Sequence, residues 1–264
     1  MTLSSGLSGA RVLVTAASQG IGFGAAQAFV AEGAEVVVNS SNAERLARAV
    51  KQLKETGHAH GIVADLTERT ELDRLLDETV HHLGGLDTLV YVTGSPHPGP
   101  FMEQTFDDWS RAASLLVVSP AYLARRAAEA MVEGGGGGRM VFLTSVAIRE
   151  PMANIALSSV CRVAVAGLVR TLARELGPKG VRVNGILPGY IRTGRIDQLM
   201  DDAARRHGTT PESERAALER DIPLGRVGTP EELARAVIFL GSDLSSYVSG
   251  AMLPVDGALL RSVG

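Results

Sequence analysis

The stretch RVLVTAASQGIGFGAAQAFVAEG, residues 11–33, joins a short apolar strand pattern to an amphipathic helical pattern through a loop of small residues. Gly20 and Gly22 let the backbone approach a pyrophosphate closely. The helix start beyond them offers free N–H groups and the positive end of its dipole to that anion. A strand, a glycine loop and a helix in this order predict a dinucleotide-binding unit, with residues 15–22 as the cofactor loop.

The same alternation of strand and helix patterns continues along the chain. Strand patterns occupy residues 11–15, 34–39, 60–65, 87–92, 139–145, 181–187 and 251–256, with helical patterns between them. Seven strands separated by helices predict a parallel sheet with helices on both faces. We therefore expect one α/β domain over residues 1–264, a doubly wound Rossmann fold without internal repeats.

One segment interrupts the alternation. IRTGRIDQLMDDAARRHG and TPESERAALERD, which lie between Pro188 and Pro223, are two helical patterns with no strand between them. They directly follow a strand end, where ligands of parallel sheets bind. We therefore predict a helical lid over the substrate at residues 190–222.

Composition narrows the possible partners and compartment. The 26 Lys and Arg residues against 29 Asp and Glu give a net charge of −3, without the basic excess that nucleic-acid binding requires. The single Cys161 cannot form an intrachain disulfide, and the first residues lack a signal-peptide pattern, so we expect a cytoplasmic protein. No apolar stretch reaches the roughly 18 residues of a membrane span, so we expect no membrane partner. The histidines show no metal-ligand spacing, so we expect no metal.

The residues after the second and third strands concern the adenosine half of a cofactor. In VVVNSSNAERL, Ser40 and Ser41 stand where an NAD-specific site usually has a carboxylate, and Arg45 is the nearest cation. NADP is therefore favoured over NAD. Asp65, at the end of the third strand, can accept a hydrogen bond from the adenine amino group, or it can cap the next helix.

From RVLVTAASQGIG through NGILPGYIRT to SGAMLPVDGA, the chain resembles the short-chain dehydrogenases/reductases, and is most similar to the β-ketoacyl-carrier-protein-reductase-like subgroup. The resemblance implies an NADP or NAD cofactor, a small-molecule substrate and a homodimer or homotetramer. Apolar residues at 164–172 and 231–242 fit such an assembly. The cofactor contacts that it implies are Thr15, Ala17, Ser18, Gln19, Gly20, Ile21, Gly22, Ser40, Ser41, Asp65, Leu66, Gly94, Arg162, Pro188, Gly189, Ile191 and Thr193.

The catalytic residues depart from the family pattern. The family serine maps onto Ser145, but Ser158 and Arg162 replace the Tyr and Lys of the Y-x-x-x-K motif, and Leu116 replaces the family Asn. A serine hydroxyl is a much weaker acid than a phenol, and a guanidinium does not shuttle protons. Arg162 shares a helix face with Ser158 and can still reach the ribose hydroxyls of the nicotinamide half.

Two other residues are candidate proton donors. His97 follows the fourth strand, and Tyr190 follows the sixth, at the same edge of the sheet. The alternative for His97 is a solvated loop residue, and for Tyr190 a packed wall residue. Three functions stay open: an NAD(P)-dependent oxidoreductase of carbonyls or alcohols with a nonstandard proton donor; a lyase, isomerase or cyclase in the same pocket; and a nucleotide-binding protein without turnover.

Overall fold

The computed structural model describes residues 4–262. Its strands form one sheet in the order β3-β2-β1-β4-β5-β6-β7, and every pairing is parallel. This confirms the predicted seven-stranded parallel sheet. The strands are β1 Arg11–Val14, β2 Glu35–Ser40, β3 Ala59–Val63, β4 Thr88–Tyr91, β5 Gly138–Leu143, β6 Val181–Pro188 and β7 Met252–Val255.

Helices cover both faces of the sheet, as a doubly wound fold requires. Those whose buried side chains pack on one face are α1, α2 and α10, and those on the other are α3, α5 and α7. The helices are α1 Gly20–Ala31, α2 Ala43–Leu53, α3 Arg69–Leu83, α4 Phe106–Ala113, α5 Ser119–Glu133, α6 Ala156–Cys161, α7 Val163–Leu176, α8 Gly194–His207, α9 Pro211–Arg220 and α10 Pro230–Leu240.

The period of two along β1 divides its side chains between the two layers. Val12 and Val14 belong to the core under α1 and α10, whereas Leu13 belongs to the core under α3 and α5. All three are fully buried, and each contributes about 1.5–3 kcal/mol relative to an exposed side chain. A strand that is apolar on both faces is the reason that a short sequence run identifies the centre of this sheet.

The strand order reverses between β1 and β4. From this point the chain proceeds outward in both directions, so the loops that leave the carboxyl ends of these two strands separate and form a crevice. Thr15 fastens the edge of the crevice, because its hydroxyl donates to the carbonyl of Val92 at 2.5 Å and accepts from the N–H of Val92 at 2.8 Å.

The helical patterns predicted between the fourth and fifth strands and between the fifth and sixth strands are each interrupted in the structure. A π-helical turn at Ser114–Val118 separates α4 from α5, and Arg162 separates α6 from α7. The predicted lid region contains α8 and α9. An ion pair between Asp197 of α8 and Arg215 of α9, at 2.6 Å, connects the two helices.

The expectation that no apolar stretch reaches the length of a membrane span is wrong. Residues Ala156–Lys179 contain an 18-residue window of mean hydropathy 1.5 with at most two charged residues, so this segment is long and apolar enough to cross a bilayer. Only 39% of the window is buried inside the fold. The expectation failed because Arg162 and Arg170 interrupt the apolar pattern, whereas a window of 18 residues can keep a high mean hydropathy with two charged residues.

Candidate active site

A cleft of about 940 Å³ opens at the carboxyl edge of the sheet, over the strand-order reversal. The five candidate catalytic side chains line it together: Ser145, Ser158, Arg162, His97 and Tyr190. So do fifteen of the residues that the resemblance implies for cofactor binding: Ser18, Gln19, Gly20, Ile21, Gly22, Ser40, Ser41, Asp65, Leu66, Gly94, Arg162, Pro188, Gly189, Ile191 and Thr193.

Thr15 and Ala17 do not line the cleft. Thr15 is fully buried in its contact with β4, and the N–H of Ala17 donates to the carbonyl of Asn39 at 2.8 Å. Both residues therefore hold the loop in place from behind rather than contacting a ligand.

The glycine loop has the backbone geometry of a close-approach site. Gly20 has φ 59°, in the left-handed region, and a Cβ at Gly22 would lie 2.6 Å from the carbonyl oxygen of Ala16. Ala16 also has a positive φ of 46°, a conformation that costs a non-glycine residue about 1–3 kcal/mol. Because α1 begins at Gly20, its free N–H groups face the cleft.

Asn39 is a positioning residue that sequence reasoning missed. Its amide accepts from the N–H of Ala16 at 3.3 Å and donates to the carbonyl of Ala64 at 2.9 Å, so it ties the cofactor loop to the ends of β2 and β3. Ser18 donates to Ser40 at 3.0 Å at the same end of the cleft. A polar residue at a strand end is the sequence signal for such a role, but it does not identify the partners.

Asp65 lies at the adenosine end but does not cap the next helix. Glu68 is the N-cap of α3, and the Asp65 carboxylate instead accepts from both the N–H and the hydroxyl of Thr67 at 2.8 Å. The expectation of a helix cap is therefore wrong, because the chain makes a separate turn before α3 begins. The exposed carboxylate keeps an oxygen for a ligand.

Ser145 follows β5 and points its hydroxyl into a tight turn. Its Oγ accepts from the N–H of Ala147 at 3.1 Å and caps a 3₁₀ turn at residues 146–148. An oxygen fixed as an acceptor leaves its own hydrogen to donate elsewhere. The half-buried Ser145 hydroxyl therefore lines the cleft with its hydrogen available to donate.

Arg162 is buried at the junction of α6 and α7. Its Nε donates to the Ser158 hydroxyl at 3.0 Å, and its two Nη atoms donate to the carbonyls of Gly94 and Leu143 at 3.3 and 3.5 Å. Burial lowers the pKa of this guanidinium to about 10, with small opposing effects of Tyr91 and Cys161. Arg162 is therefore still charged at neutral pH.

The position of the missing family Asn is apolar. Leu116 is buried within the π-helical turn and packs in a small cluster with Ala112, Leu157 and Cys161. Beside it, the Tyr91 hydroxyl donates to the carbonyl of Leu115 at 3.1 Å, and burial raises the pKa of Tyr91 above its ordinary value. Tyr91 is thus a second positioning residue that the sequence did not reveal.

His97 and Tyr190 both line the cleft, from the segments that follow β4 and β6. His97 is exposed in the loop after β4. A parallel bridge between Gly99 and Ile155 connects this loop to the residues just before α6. Tyr190 is half-buried, and burial together with the charge of Asp221 raises the pKa of its phenol. Among residues 4–262, no group of three or more His, Cys, Asp or Glu side chains has a metal-binding arrangement.

A parallel sheet with a glycine loop at its strand-order reversal defines a dinucleotide-binding Rossmann fold. Residues 15–259 match the family model described as enoyl-(acyl carrier protein) reductase. The 7alpha-hydroxysteroid dehydrogenase of Escherichia coli K12 is 35% identical over 252 residues, which are 95% of this chain and 94% of that protein. The 3beta-hydroxysteroid dehydrogenase 1 of Eggerthella lenta is 34% identical over 256 residues, 96% of this chain and 94% of its own.

Solved structures agree over the whole chain. L-sorbose reductase from Gluconobacter frateurii, in complex with NADPH and L-sorbose, superposes with a TM-score of 0.94 at 28% identity, covering 99% of this chain and 100% of that one. A 7 alpha-hydroxysteroid dehydrogenase complexed with NADH and 7-oxo glycochenodeoxycholic acid gives 0.86 at 32% identity, with complete coverage of both chains. The chain belongs to the short-chain dehydrogenase/reductase family of oxidoreductases, which confirms the predicted family and fold.

Proposed function

We propose that this protein is an NAD(P)-dependent oxidoreductase that interconverts a carbonyl and an alcohol on a small molecule. The observation that carries the proposal is a single cleft with the N-terminus of α1 at one end and Ser145 and Arg162 at the other. A glycine loop alone would support only nucleotide binding. A preorganised hydroxyl and a buried cation in the same cleft add the groups that polarise a carbonyl oxygen.

The cleft fits a nicotinamide dinucleotide. The close approach at Gly22 and the open N-terminus of α1 suit the pyrophosphate, and Asp65 suits the adenine. Arg162 has N–H groups for the ribose hydroxyls of the nicotinamide half. When bound, the reduced cofactor supplies the hydride that a carbonyl substrate accepts.

NADP is the proposed form of the cofactor. Ser18, Ser40, Ser41 and Arg45 line the cleft near the end of β2, and these four offer hydroxyls and a guanidinium, with no carboxylate among them to repel a 2′-phosphate. The similar structures described above hold NADPH in one case and NADH in another, so the preference follows from these side chains alone.

At the substrate end, Ser145 donates its hydroxyl hydrogen to the carbonyl oxygen. His97 and Tyr190 are the proposed proton donors, since both line this end of the cleft and the phenol of the family motif is replaced by Ser158. The shorter serine also leaves the pocket wider beside the nicotinamide. Residues 190–222, which contain α8 and α9, are the proposed lid over the substrate.

Assembly into a homodimer or homotetramer is also proposed. Val160 and Val163 are 56% and 50% exposed on the segment whose apolar window is long enough for a membrane, and Val118 beside the π-helical turn is 61% exposed. A second copy of this chain would cover these side chains without placing the flanking charges in a bilayer. We propose accordingly that the protein is cytoplasmic and has no membrane or nucleic-acid partner.

Loss of the phenol also supports a second candidate, a nucleotide-binding protein without turnover. One experiment separates the two candidates. Calorimetry with NADPH and NADH is followed by absorbance assays of NADPH consumption with a panel of ketones, quinones and ketoacyl thioesters. Binding with turnover supports the oxidoreductase, and binding without turnover supports the second candidate. No binding of either cofactor at millimolar concentration would contradict both.

A further inference from the structure

Arg162 is a buried cation with only neutral partners. Its side chain is almost entirely removed from solvent, at 7% exposure of the residue, and the acceptors of its three hydrogen bonds are one hydroxyl and two backbone carbonyls. Within residues 4–262, no carboxylate forms an ion pair or hydrogen bond with it. A guanidinium has five N–H groups, so two are left for a ligand in the cleft that Arg162 lines.

The neighbouring titratable groups do not neutralise this charge. Burial raises the pKa of both Tyr91, from β4, and Cys161, from α6, so both are uncharged at neutral pH. An isolated charge held inside a protein costs several kcal/mol, and unpaired cases are rare. The free protein therefore retains a positive charge at the cleft wall that only a ligand can compensate.

The position of the Arg162 guanidinium indicates which part of a bound ligand it would contact. Arg162 contacts the carbonyl of Leu143, the last residue of β5, and the carbonyl of Gly94 in the loop after β4. Ser145 stands two residues beyond Leu143 on the same wall. Arg162 and Ser145 therefore both lie at the carboxyl end of β5 and both line the cleft, which is where we place the carbonyl oxygen of the substrate.

We propose that Arg162 stabilises the negative oxygen that forms when the substrate carbonyl is reduced, so that a permanent charge replaces the missing phenolic proton donor. The proposal rests on the proposed function. A bound reduced nicotinamide would supply the hydride: as its C–H bond broke and the ring was oxidised, a C–H bond would form at the carbonyl carbon, and the electron pair of the carbon–oxygen π bond would become an alkoxide. Ser145 and Arg162 bind that alkoxide, which afterwards takes a proton from a donor of the cleft or from water.

Ser158 acquires a different role in this scheme. Its oxygen accepts from Nε of Arg162 at 3.0 Å, at the i, i+4 spacing of one helix face, so it aligns the guanidinium rather than protonating the product. Ser158 is therefore a positioning residue, and its loss weakens the alignment of Arg162 without removing the charge.

The test compares Arg162→Met, which keeps the side-chain length without the charge, with Arg162→Lys, which keeps the charge. Three quantities are measured for each: the melting temperature without ligand, the Kd for NADPH by fluorescence, and kcat at saturating NADPH. We expect Arg162→Met to melt no lower than the wild type, because it removes a costly buried charge. Its kcat should fall about 100- to 1000-fold, with a change in Kd of less than about tenfold. Arg162→Lys should recover part of kcat.

Four outcomes would overturn the proposal. A marked fall in melting temperature for Arg162→Met, with kcat retained in the folded fraction, would assign Arg162 to structure. A loss confined to the Kd for NADPH would assign it to the ribose alone. If wild-type protein binds NADPH but reduces no carbonyl, the proposed function fails and this proposal fails with it, whereas turnover that survives in Arg162→Met refutes this proposal only.

Discussion

Ser145→Ala should reduce turnover far more than Ser158→Ala. The Ser145 oxygen accepts from the N–H of Ala147 at 3.1 Å, so its position on the cleft wall is held and its own hydrogen stays available for a substrate. Removal of one preorganised donor to a developing negative oxygen costs about 2.7–4 kcal/mol, or 100- to 1000-fold in kcat. Ser158 contributes one of three hydrogen bonds to Arg162, and the other two persist without it. We expect its loss to cost about tenfold, or about 1.4 kcal/mol.

The assay is single-turnover NADPH oxidation at saturating cofactor, so that a binding defect is not mistaken for a chemical one. Ser145 also caps a 3₁₀ turn, and losing such a cap costs about 1 kcal/mol of stability. Ser242→Ala is the matched control, because the Ser242 oxygen caps a similar turn by accepting from the N–H of Leu244 at 3.3 Å, outside the cleft lining. An equally large fall in the rate of NADPH oxidation for Ser145→Ala and Ser158→Ala would refute the reasoning, since Ser158 would then be the proton donor.

Three further perturbations test other parts of the molecule. Ser41→Asp should weaken the binding of NADPH at least tenfold by charge repulsion and leave the affinity for NADH unchanged, both measured by calorimetry. Arg48→Ala, on α2 but outside the cleft lining, is the control. Val163→Glu should shift the mass measured by light scattering toward the 27.7 kDa of one chain. The control Val63→Glu, at the β3 edge of the sheet, should leave this mass unchanged. A monomeric wild-type protein would contradict the proposed assembly. Burial, and next the neighbouring His82, lower the pKa of His60 below 6.5, so the unfolded chain binds this proton more readily and stability should fall as pH drops below about 6.5. His60→Phe should flatten the fall of melting temperature between about pH 7 and 5, His81→Gln should not, and an unchanged slope in His60→Phe would exclude this origin.

The sheet could be predicted from sequence because each strand run is short, apolar and bounded by a helical pattern. The breaks between α4 and α5 and between α6 and α7 could not be predicted from sequence. Apolar spacing continues through the π-helical turn at Ser114–Val118 and through Arg162, so periodicity does not report a local change of hydrogen bonding.

The candidate site was predictable where one residue type has one physical use. Gly22 is such a case, since no side chain fits against the carbonyl of Ala16. The roles of Asn39 and Tyr91 were not predictable, because each depends on carbonyl partners that are distant in sequence. The turn made by Asp65 with Thr67 was mistaken for a helix cap for a similar reason, as both use a carboxylate that accepts from nearby N–H groups.

The position of β1 in the sheet order has a consequence for biosynthesis. β1 leaves the ribosome before the other six strands of this sheet, yet its second neighbour is β4, through pairs such as Val12 with Thr88. Until Thr88–Tyr91 has emerged, β1 has an open edge in a segment whose side chains are apolar on both faces. Such an edge is a template for pairing with other chains. A nascent chain halted before β4 should therefore aggregate or engage chaperones, whereas one halted after β4 has closed the edge of its central strand.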